Sequence, residues 1–444
     1  MVLVFIMTKY VKSQEALPSN LHIWDPVPTQ TAITETKTVD FYPTSAIDSS
    51  DTLSFVIPAM QKYMLDNIQI VMEIRVLTAA GGNPVDDNPV STTPHLAAAL
   101  FRNVDVSIAG VSLTQSFDNS YAMLKFWSDV LHHRESSVAI LKKREGFLLD
   151  EVFTKGDSED VNYFPAAVEG VVPDAVNKRG RERCNRIKQG RTVCLVSDFN
   201  VALFKQDKLL PTGIEIRVNL TKNYSEFILL SAADRTEKVV FDNVSLRCTF
   251  QKPTDMILSL IEERLAKENA IYHADKSILS FHSITAGAQE FTLENIFNGI
   301  LPYYFLVGVQ DRAAFGRDRT KNPFSLHEIK KIQLFVNGQE HFSKPIEKHP
   351  AESTFMYDAF LRESGDIHGG DTLLSFYYAC YPAMGFDLTQ DKTQNQHSLN
   401  LVRNGTARLT IELPDPAPAN QVLMILAWYE QVIEITKDRQ LLLI

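Results

Sequence analysis

Apolar and polar residues alternate with a period of two along much of this chain. In residues 213–221, Ile214, Ile216, Val218 and Leu220 are separated by polar residues. Such alternation places the apolar side chains on one face of a half-buried strand. The same alternation, or a short apolar run, predicts strands at 33–42, 53–57, 68–77, 104–108, 199–203, 244–250, 300–309, 332–336, 373–378, 407–413 and 422–435. The pattern predicts an all-β protein.

Two segments have helical spacing instead. Residues 253–269 carry apolar residues three and four positions apart, after a Pro-Thr-Asp start that suits a first helical turn. A shorter helix is predicted from Tyr121 to His132. Its aromatic residues Tyr121, Phe126 and Trp127 have two interpretations, a helix face docked on the β-sandwich or a binding surface.

A weak internal repeat spans the central helix. In the first part, a strand with a glycine turn at 104–110 is followed by the aromatic helix. In the second part, a strand with a glycine turn at 332–338 is followed by the aromatic run 355–361. We therefore predict an N-terminal arm (1–20), a first β unit (21–252), a linker helix (253–269) and a second β unit (270–444).

The connection 132–195 is unusually long, and loops of this length are functional or disordered. It is acidic at first and then basic. The basic part carries Lys178, Arg179, Arg181, Arg183, Arg186, Lys188 and Arg191. This loop has two interpretations: a contact with nucleic acid or with an acidic neighbour, or a solvated loop balanced by the acidic stretch before it.

Composition narrows the function. With 444 residues, 45% hydrophobic and 22% charged, the chain has the composition of a soluble globular protein. A net charge of −10 argues against a surface built throughout to bind nucleic acid. The four cysteines, Cys184, Cys194, Cys248 and Cys380, form no Cys-x-x-Cys element, so we expect reduced thiols. We expect no signal peptide and no membrane span, and therefore an intracellular protein.

Candidate catalytic chemistry is sparse. His273 and Asp275 have the His-x-Asp spacing of a facial iron site, but their place directly after the helix favours a plain surface loop. The third ligand would have to come from His282, His327 or His341. The pair His132-His133 ends a helix, where a cation complements the dipole. No nucleophile elbow, phosphate-binding loop or zinc-protease motif is present, so we expect no catalysis, no cofactor and no metal.

Several stretches, in this order, resemble the double jelly-roll major capsid proteins of Polinton (Maverick) elements and adintovirus-like viruses. The resemblance extends from about Leu21 to the end. The basic insertion near 178–191 and the apolar first residues depart from it. The stretches are 101–110 with Tyr121 downstream, 209–223, Lys321-Asn-Pro-Phe324 before 334–338, 386–388 leading to 404–406, and the closing 432–439.

The resemblance implies two tandem eight-stranded jelly rolls joined by a helix. It further implies a structural subunit of an icosahedral double-stranded DNA virus or virus-like element, made in the host cytoplasm or nucleus. Three copies would form a pseudo-hexagonal capsomer, and its partners would be further capsomers, a vertex or minor capsid protein and, weakly, the genome. Two alternatives stay open: a glycan- or receptor-binding β-sandwich protein, and a jelly-roll oxygenase.

Overall fold

The chain is built mainly of antiparallel strands. The computed structural model describes residues 27, 29–84, 90–114, 119–132, 135–149, 178–231, 235–297, 299–315, 318–347, 354–363, 383–390, 392 and 399–443. The strands of the first half are β1 (Ile33–Phe41), β2 (Thr52–Ile57), β3 (Met64–Leu77), β4 (Ser91–Thr92), β5 (Phe101–Ile108), β6 (Val111–Ser112), β7 (Val193–Asp198), β8 (Ile216–Lys222), β9 (Leu229–Leu230) and β10 (Lys238–Pro253).

The second half follows the same plan. Its strands are β11 (Ala270–Ser283), β12 (Glu290–Leu293), β13 (Ile300–Leu301), β14 (Tyr304–Asp311), β15 (Lys331–Val336), β16 (Gln339–Glu340), β17 (Ile346–Glu347), β18 (Met384–Asp387), β19 (Arg403–Asn404), β20 (Ala407–Glu412), β21 (Gln421–Ile435) and β22 (Leu441–Leu443). The helices are α1 (Leu96–Ala99), α2 (Ser120–His132), α3 (Glu135–Arg144), α4 (Lys178–Ile187), α5 (Ser225–Ile228), α6 (Asp255–Leu265) and α7 (Thr354–Glu363).

Both halves pair their strands in one order. The first half, roll 1, forms sheet A (β1–β10–β3–β7) and sheet B (β2–β8–β5–β6). The second half, roll 2, forms sheet C (β11–β21–β14–β18) and sheet D (β12–β20–β15–β16). The eight main strands are those of the two sheets: β1, β2, β3, β5, β6, β7, β8 and β10 in roll 1, and β11, β12, β14, β15, β16, β18, β20 and β21 in roll 2. When they are numbered 1 to 8 in chain order, the strands of both rolls pair in the orders 1–8–3–6 and 2–7–4–5, which is the strand order of a jelly roll. The predicted fold of two tandem jelly rolls is confirmed.

The two glycine turns occupy the same place in each roll, between the fourth and fifth main strands. Ala109 and Gly110 have φ of 50° and 81°, and Asn337 and Gly338 have φ of 52° and 77°. Two successive positive φ values make a type I′ hairpin, whose twist matches that of the flanking strands. A helix follows each hairpin, α2 in roll 1 and α7 in roll 2.

The two central strands of sheet C, β21 and β14, are buried on both faces. In β21 the run from Gln421 to Trp428 is buried without interruption, so it does not alternate as a strand with one wet face would. One face lies in the interior of roll 2, where Phe305 packs on Phe297 with ring centroids 4.9 Å apart. The other face lies towards roll 1, where Trp428 borders a cleft together with Leu124 of α2. The two rolls therefore pack side by side.

Helix α2 is docked between the rolls, as one interpretation of its aromatic face predicts. Phe126 and Trp127 are fully buried and Tyr121 is almost so. Phe126 stacks on Phe324 of roll 2 with ring centroids 4.2 Å apart. The central helix lies within the predicted segment, as α6, and Thr254 alone separates it from β10. None of the described helices is long and apolar enough to cross a membrane.

Several predicted elements differ from the structure. The apolar run 199–203 was expected to be a strand, but β7 ends at Asp198 and Ala202–Phe204 is a 3-10 helix. The run 300–309 is divided by Pro302, which has no N–H to donate to a ladder. Connection 132–195 is not a plain loop, because α3, α4 and β7 lie in it. The predicted strand 373–378, Cys380 and the arm 1–20 lie outside the described residues.

The aromatic stack between the rolls yields a first prediction. Phe324→Ala should lower the free energy of unfolding by about 3–5 kcal/mol, because it leaves a cavity beside Phe126. Tyr42, 63% exposed, provides the control, and Tyr42→Ala should change stability by less than about 0.5 kcal/mol. Chemical denaturation monitored by fluorescence measures both. Equal effects of the two substitutions would contradict the packing described.

Candidate functional site

Four charged or titratable side chains meet in the interior of roll 1. Lys125 and Asp129 come from α2, and His95 and Glu145 flank α1 and α3. His95 Nε2 lies 2.7 Å from Asp129 Oδ2 and 3.6 Å from Glu145 Oε2. Lys125 Nζ lies 2.9 Å from Asp129 Oδ2 and 3.0 Å from Glu145 Oε2. All four residues are buried, so this ionic cluster is screened little by solvent.

Hydrogen bonds and compensating charges hold the cluster together. The backbone N–H of Ala98 donates to His95 Nδ1 at 3.4 Å, and His95 Nε2 is within hydrogen-bond distance of Asp129. Burial alone would lower the pKa of Lys125, but the carboxylates of Asp129 and Glu145 outweigh it and raise that pKa. Lys125 is therefore charged and compensates the two buried carboxylates.

The ionic cluster resembles a metal site in composition but not in charge. One ligand atom each from His95, Asp129 and Glu145 lie within 4.8 Å of one another. A divalent ion held by both carboxylates would have to occupy the space that the Lys125 ammonium already fills, and the two cations would repel each other. We interpret the cluster as an ion pair network that fixes α2 to the elements around it.

Sequence reasoning missed the ionic cluster because its members are far apart in sequence. Helix α2 did carry a signal. Lys125 and Asp129 lie four residues apart on a segment whose neighbours Phe126, Trp127 and Val130 are all apolar. Two opposite charges at this spacing inside an apolar helix indicate a buried pair.

A second ionic cluster fixes α7 in roll 2. His341 Nε2 lies 2.9 Å from Glu363 Oε2, and Lys392 Nζ lies 3.2 Å from the same oxygen. The backbone N–H of Asp387 donates to Glu363 at 2.7 Å. Burial would raise the pKa of Glu363, but His341, Lys392 and the Asp387 N–H together lower it below the usual 4.5. Each roll therefore anchors the helix that follows its hairpin through a carboxylate.

The structure does not assemble the candidate iron ligands. His273 and Asp275 lie in β11, opposite Val432 and Glu430, so the expected surface loop was wrong. They are exposed because Tyr272 and Ala274 take the buried positions of the strand. His341 belongs to the cluster of Glu363, and His327 bridges to Val309. Among the described residues, no metal-type group includes any of the predicted ligands His273, Asp275, His282, His327 and His341.

The predicted basic loop is a helix. Lys178, Arg179, Arg181, Arg183 and Arg186 lie in α4, Lys188 lies in the following 3-10 turn, and Arg191 comes just after it. Arg183 is 2% exposed; it donates to the carbonyl of Leu148, and its Nε lies 3.4 Å from Ser91 Oγ. It therefore serves packing and faces no outside partner. Arg181, Lys188 and Arg191 are exposed on the surface of roll 1.

An apolar groove of about 850 Å³ runs along one side of roll 2. The connection between β18 and β20 supplies Leu399, Leu401 and Val402, which are 47%, 73% and 61% exposed. Ile300 and Leu443 border the same groove and are also exposed. Exposed apolar side chains grouped in this way make the groove a candidate contact surface.

The ionic cluster yields a second prediction. Lys125→Met should destabilise the protein by about 3–5 kcal/mol, because it leaves the carboxylates of Asp129 and Glu145 buried without a cation. Lys142→Met is the control, because its ion pair with Glu182 is partly exposed and contributes about 1 kcal/mol or less. Urea unfolding measures both. A Lys125→Met protein as stable as the wild type would refute the role given to the ionic cluster.

A third prediction concerns pH. The pKa of Glu363 is lower in the folded chain than in the unfolded one, so its stabilising contribution is complete above pH 4.5 and is lost as the pH falls through the folded pKa. Wild type should exceed Glu363→Gln in stability by about 1–3 kcal/mol at pH 7. This difference should shrink below pH 4.5. Unfolding curves between pH 3 and 7 test it, with the exposed Glu290→Gln as control; a difference independent of pH would contradict it.

Comparison with known proteins supports the fold. No family model and no curated protein matches the chain. It is similar to a chain in the cryo-EM structure of the Sputnik virophage, with a TM-score of 0.65, 13% identity and coverage of 100% of this chain and 94% of that one. It is similar to a chain of the PBCV-1 virus capsid, with a TM-score of 0.59, 11% identity and coverage of 95% of this chain and 98% of that one. It is also similar to the mavirus major capsid protein, with a TM-score of 0.54, 10% identity and coverage of 99% of this chain and 96% of that one. The chain thus has the double jelly-roll fold of viral major capsid proteins.

Proposed function

We propose that this chain is the major capsid protein of an icosahedral double-stranded DNA virus or virus-like element. Three copies form a pseudo-hexagonal capsomer, and the chain has no catalytic role. The observation that carries the proposal is the repetition of one strand order, 1–8–3–6 and 2–7–4–5, in two rolls of a single chain.

The repeated roll suits a capsomer for a geometrical reason. Three chains with two similar rolls each give six similar walls, so a threefold ring fills a position of a hexagonal lattice. Identical subunits close such a ring through one repeated heterologous contact. Jelly rolls also keep their sheet edges short and present loops at both ends, which leaves surfaces free for lattice contacts.

Two further points support the proposal. The fold likeness extends over 95–100% of this chain in the capsid structures compared. The candidate iron ligands lie apart, and a lysine ammonium fills the space between the carboxylates of the ionic cluster. The oxygenase alternative therefore lacks a site among the described residues, and no observation favours the glycan-binding alternative.

The finer parts of the proposal come from the sequence. The ordered stretches from 101–110 to 432–439 favour a Polinton (Maverick) or adintovirus-like source. We propose domain bounds of 21–252 and 270–444, with the helix segment 253–269 between them. A vertex or minor capsid protein is the expected partner, and the virion capsid is the expected location.

A local contact with the genome, or with an acidic neighbour, is proposed for the exposed cations near α4. Arg181, Lys188 and Arg191 are exposed on the surface of roll 1, whereas Arg183 is buried. Such a contact depends on charge and weakens as salt rises.

Two measurements test the function. Light scattering should give a mass near three times the 50.1 kDa of one chain, and electron microscopy of concentrated protein should show hexagonal particles or shells. A monomer that is retained on sugar columns would favour the glycan-binding alternative, and bound iron in elemental analysis would favour the oxygenase. Either result would overturn the proposal.

A further inference from the structure

We infer that the contact between neighbouring copies is made by two exposed surfaces of this chain: the outer face of β1 and β10 in sheet A of roll 1, and residues 399–406 of the connection between β18 and β20 in roll 2. The inference rests on the proposed capsomer and assigns the residues that hold it together. Its evidence is that the equivalent surfaces already pack against each other within one chain.

The contact within the chain provides the template. The connection between β7 and β8, residues 199–215, lies against sheet C of roll 2. Lys208 Nζ donates to the carbonyl of Ile271 at 3.0 Å, and the Tyr272 hydroxyl donates to the carbonyl of Leu209 at 2.8 Å. The 3-10 helix Ala202–Phe204 contacts β11. In roll 1 the connection between the sixth and seventh main strands is thus an interface segment.

The strand register identifies the equivalent positions on the two sheets. In sheet A, Asp40, Arg247, Gln69 and Asp198 form one row across the four strands. In sheet C the corresponding row is Ser277, Trp428, Tyr304 and Asp387. Each row ends at the last residue of the sixth main strand, so the two sheets superpose strand by strand.

The outer faces of the two sheets differ in how far they are covered. Asp275, two residues before Ser277 on β11, borders the cleft that Ala202 and Phe204 also line. Its equivalent on β1 is Thr38, two residues before Asp40, and both Asp275 and Thr38 are exposed. The two sheets differ in the row itself, where Trp428 is 6% exposed and the Arg247 side chain is 40% exposed. On its β1 and β10 side, the outer face of sheet A therefore lacks the covering that sheet C receives from roll 1, whereas α3 lies against β7.

The counterpart of the interface segment is also uncovered. In roll 1, the apolar residues Phe199, Val201, Leu203 and Phe204 of the connection are at most 9% exposed. In roll 2, the described residues 399–406 of the equivalent connection include Leu399, Leu401 and Val402, which are 47–73% exposed. An apolar segment whose repeat is buried, yet which is itself exposed, lacks its partner surface.

The polar outer face of sheet A suits a second copy of the chain that binds after folding. Arg247 and Gln69 stand where sheet C has Trp428 and Tyr304. Arg247 pairs with Asp40 at 2.9 Å on this exposed face. A face that meets water before assembly must be polar, whereas sheet C is covered within its own chain. Each sheet A thus accepts roll 2 of a second copy, and three such contacts close the ring.

The first experiment places a charge in the segment. Leu401→Asp should weaken trimer association about 30-fold or more, because the carboxylate would be buried in the contact. Val56→Asp is the matched control, since Val56 is 41% exposed on β2 of sheet B, outside both proposed surfaces, and it should leave association unchanged. Analytical ultracentrifugation over a concentration series measures association. Circular dichroism checks that both variants remain folded.

A second experiment tests the pairing of the two surfaces. Thr38→Cys and Leu401→Cys are prepared separately in a Cys194→Ser background, because Cys194 is an exposed native thiol. A short bismaleimide linker should join two chains when the variants are assembled together, and should not join them in either variant alone. The cross-linked product is identified by peptide mass.

The outcomes separate the inference from the proposed function. If the wild-type chain is a monomer at all concentrations, both fail. If the wild type is a trimer while Leu401→Asp associates equally well and the mixed cysteine variants do not cross-link, the trimer stands and these surfaces are not its interface. Loss of association in Leu401→Asp together with the mixed cross-link establishes the inference.

Discussion

The burial of β21 on both faces is the constraint on which the rest of the structure depends. A jelly roll normally shields one face of each sheet and leaves the other to water, whereas β21 is apolar on both faces from Val422 to Trp428. Each square ångström of this surface that meets water would cost about 25 cal/mol. Covering this strand on its roll 1 side therefore favours the side-by-side packing of the two rolls.

The two ionic clusters serve this arrangement. Helix α2 has to bury Phe126 and Trp127 between the rolls, and apolar contacts alone leave its rotation and height loosely fixed. The pairing of Lys125 and Asp129 with partners outside the helix fixes one orientation, since every other orientation would bury a charge without its partner. In roll 2, Glu363 has the same task at the end of α7.

How far the sequence predicts the structure depends on the range of the interactions involved. The alternation of apolar and polar residues predicted most strands correctly, because a strand with one buried face places every second side chain in the core. The run 199–203 misled because its apolar residues are buried by packing between connections, which periodicity does not distinguish from a sheet. The His-x-Asp pair of His273 and Asp275 was misassigned to a loop, because β11 begins only four residues after α6 ends. The ionic clusters join residues distant in sequence, which a single sequence does not reveal.

The junction at Thr254 has a consequence for biosynthesis. Because one residue separates β10 from α6, roll 2 has little slack in reaching its docking position. Roll 1 leaves the ribosome first, since domains of a nascent chain form in order from the N-terminus. Until β11 emerges, the segment Ala202–Phe204 of roll 1 lacks the strand that covers it and is exposed to other nascent chains. A roll 1 that folded without the second half of its chain would therefore expose an apolar contact surface.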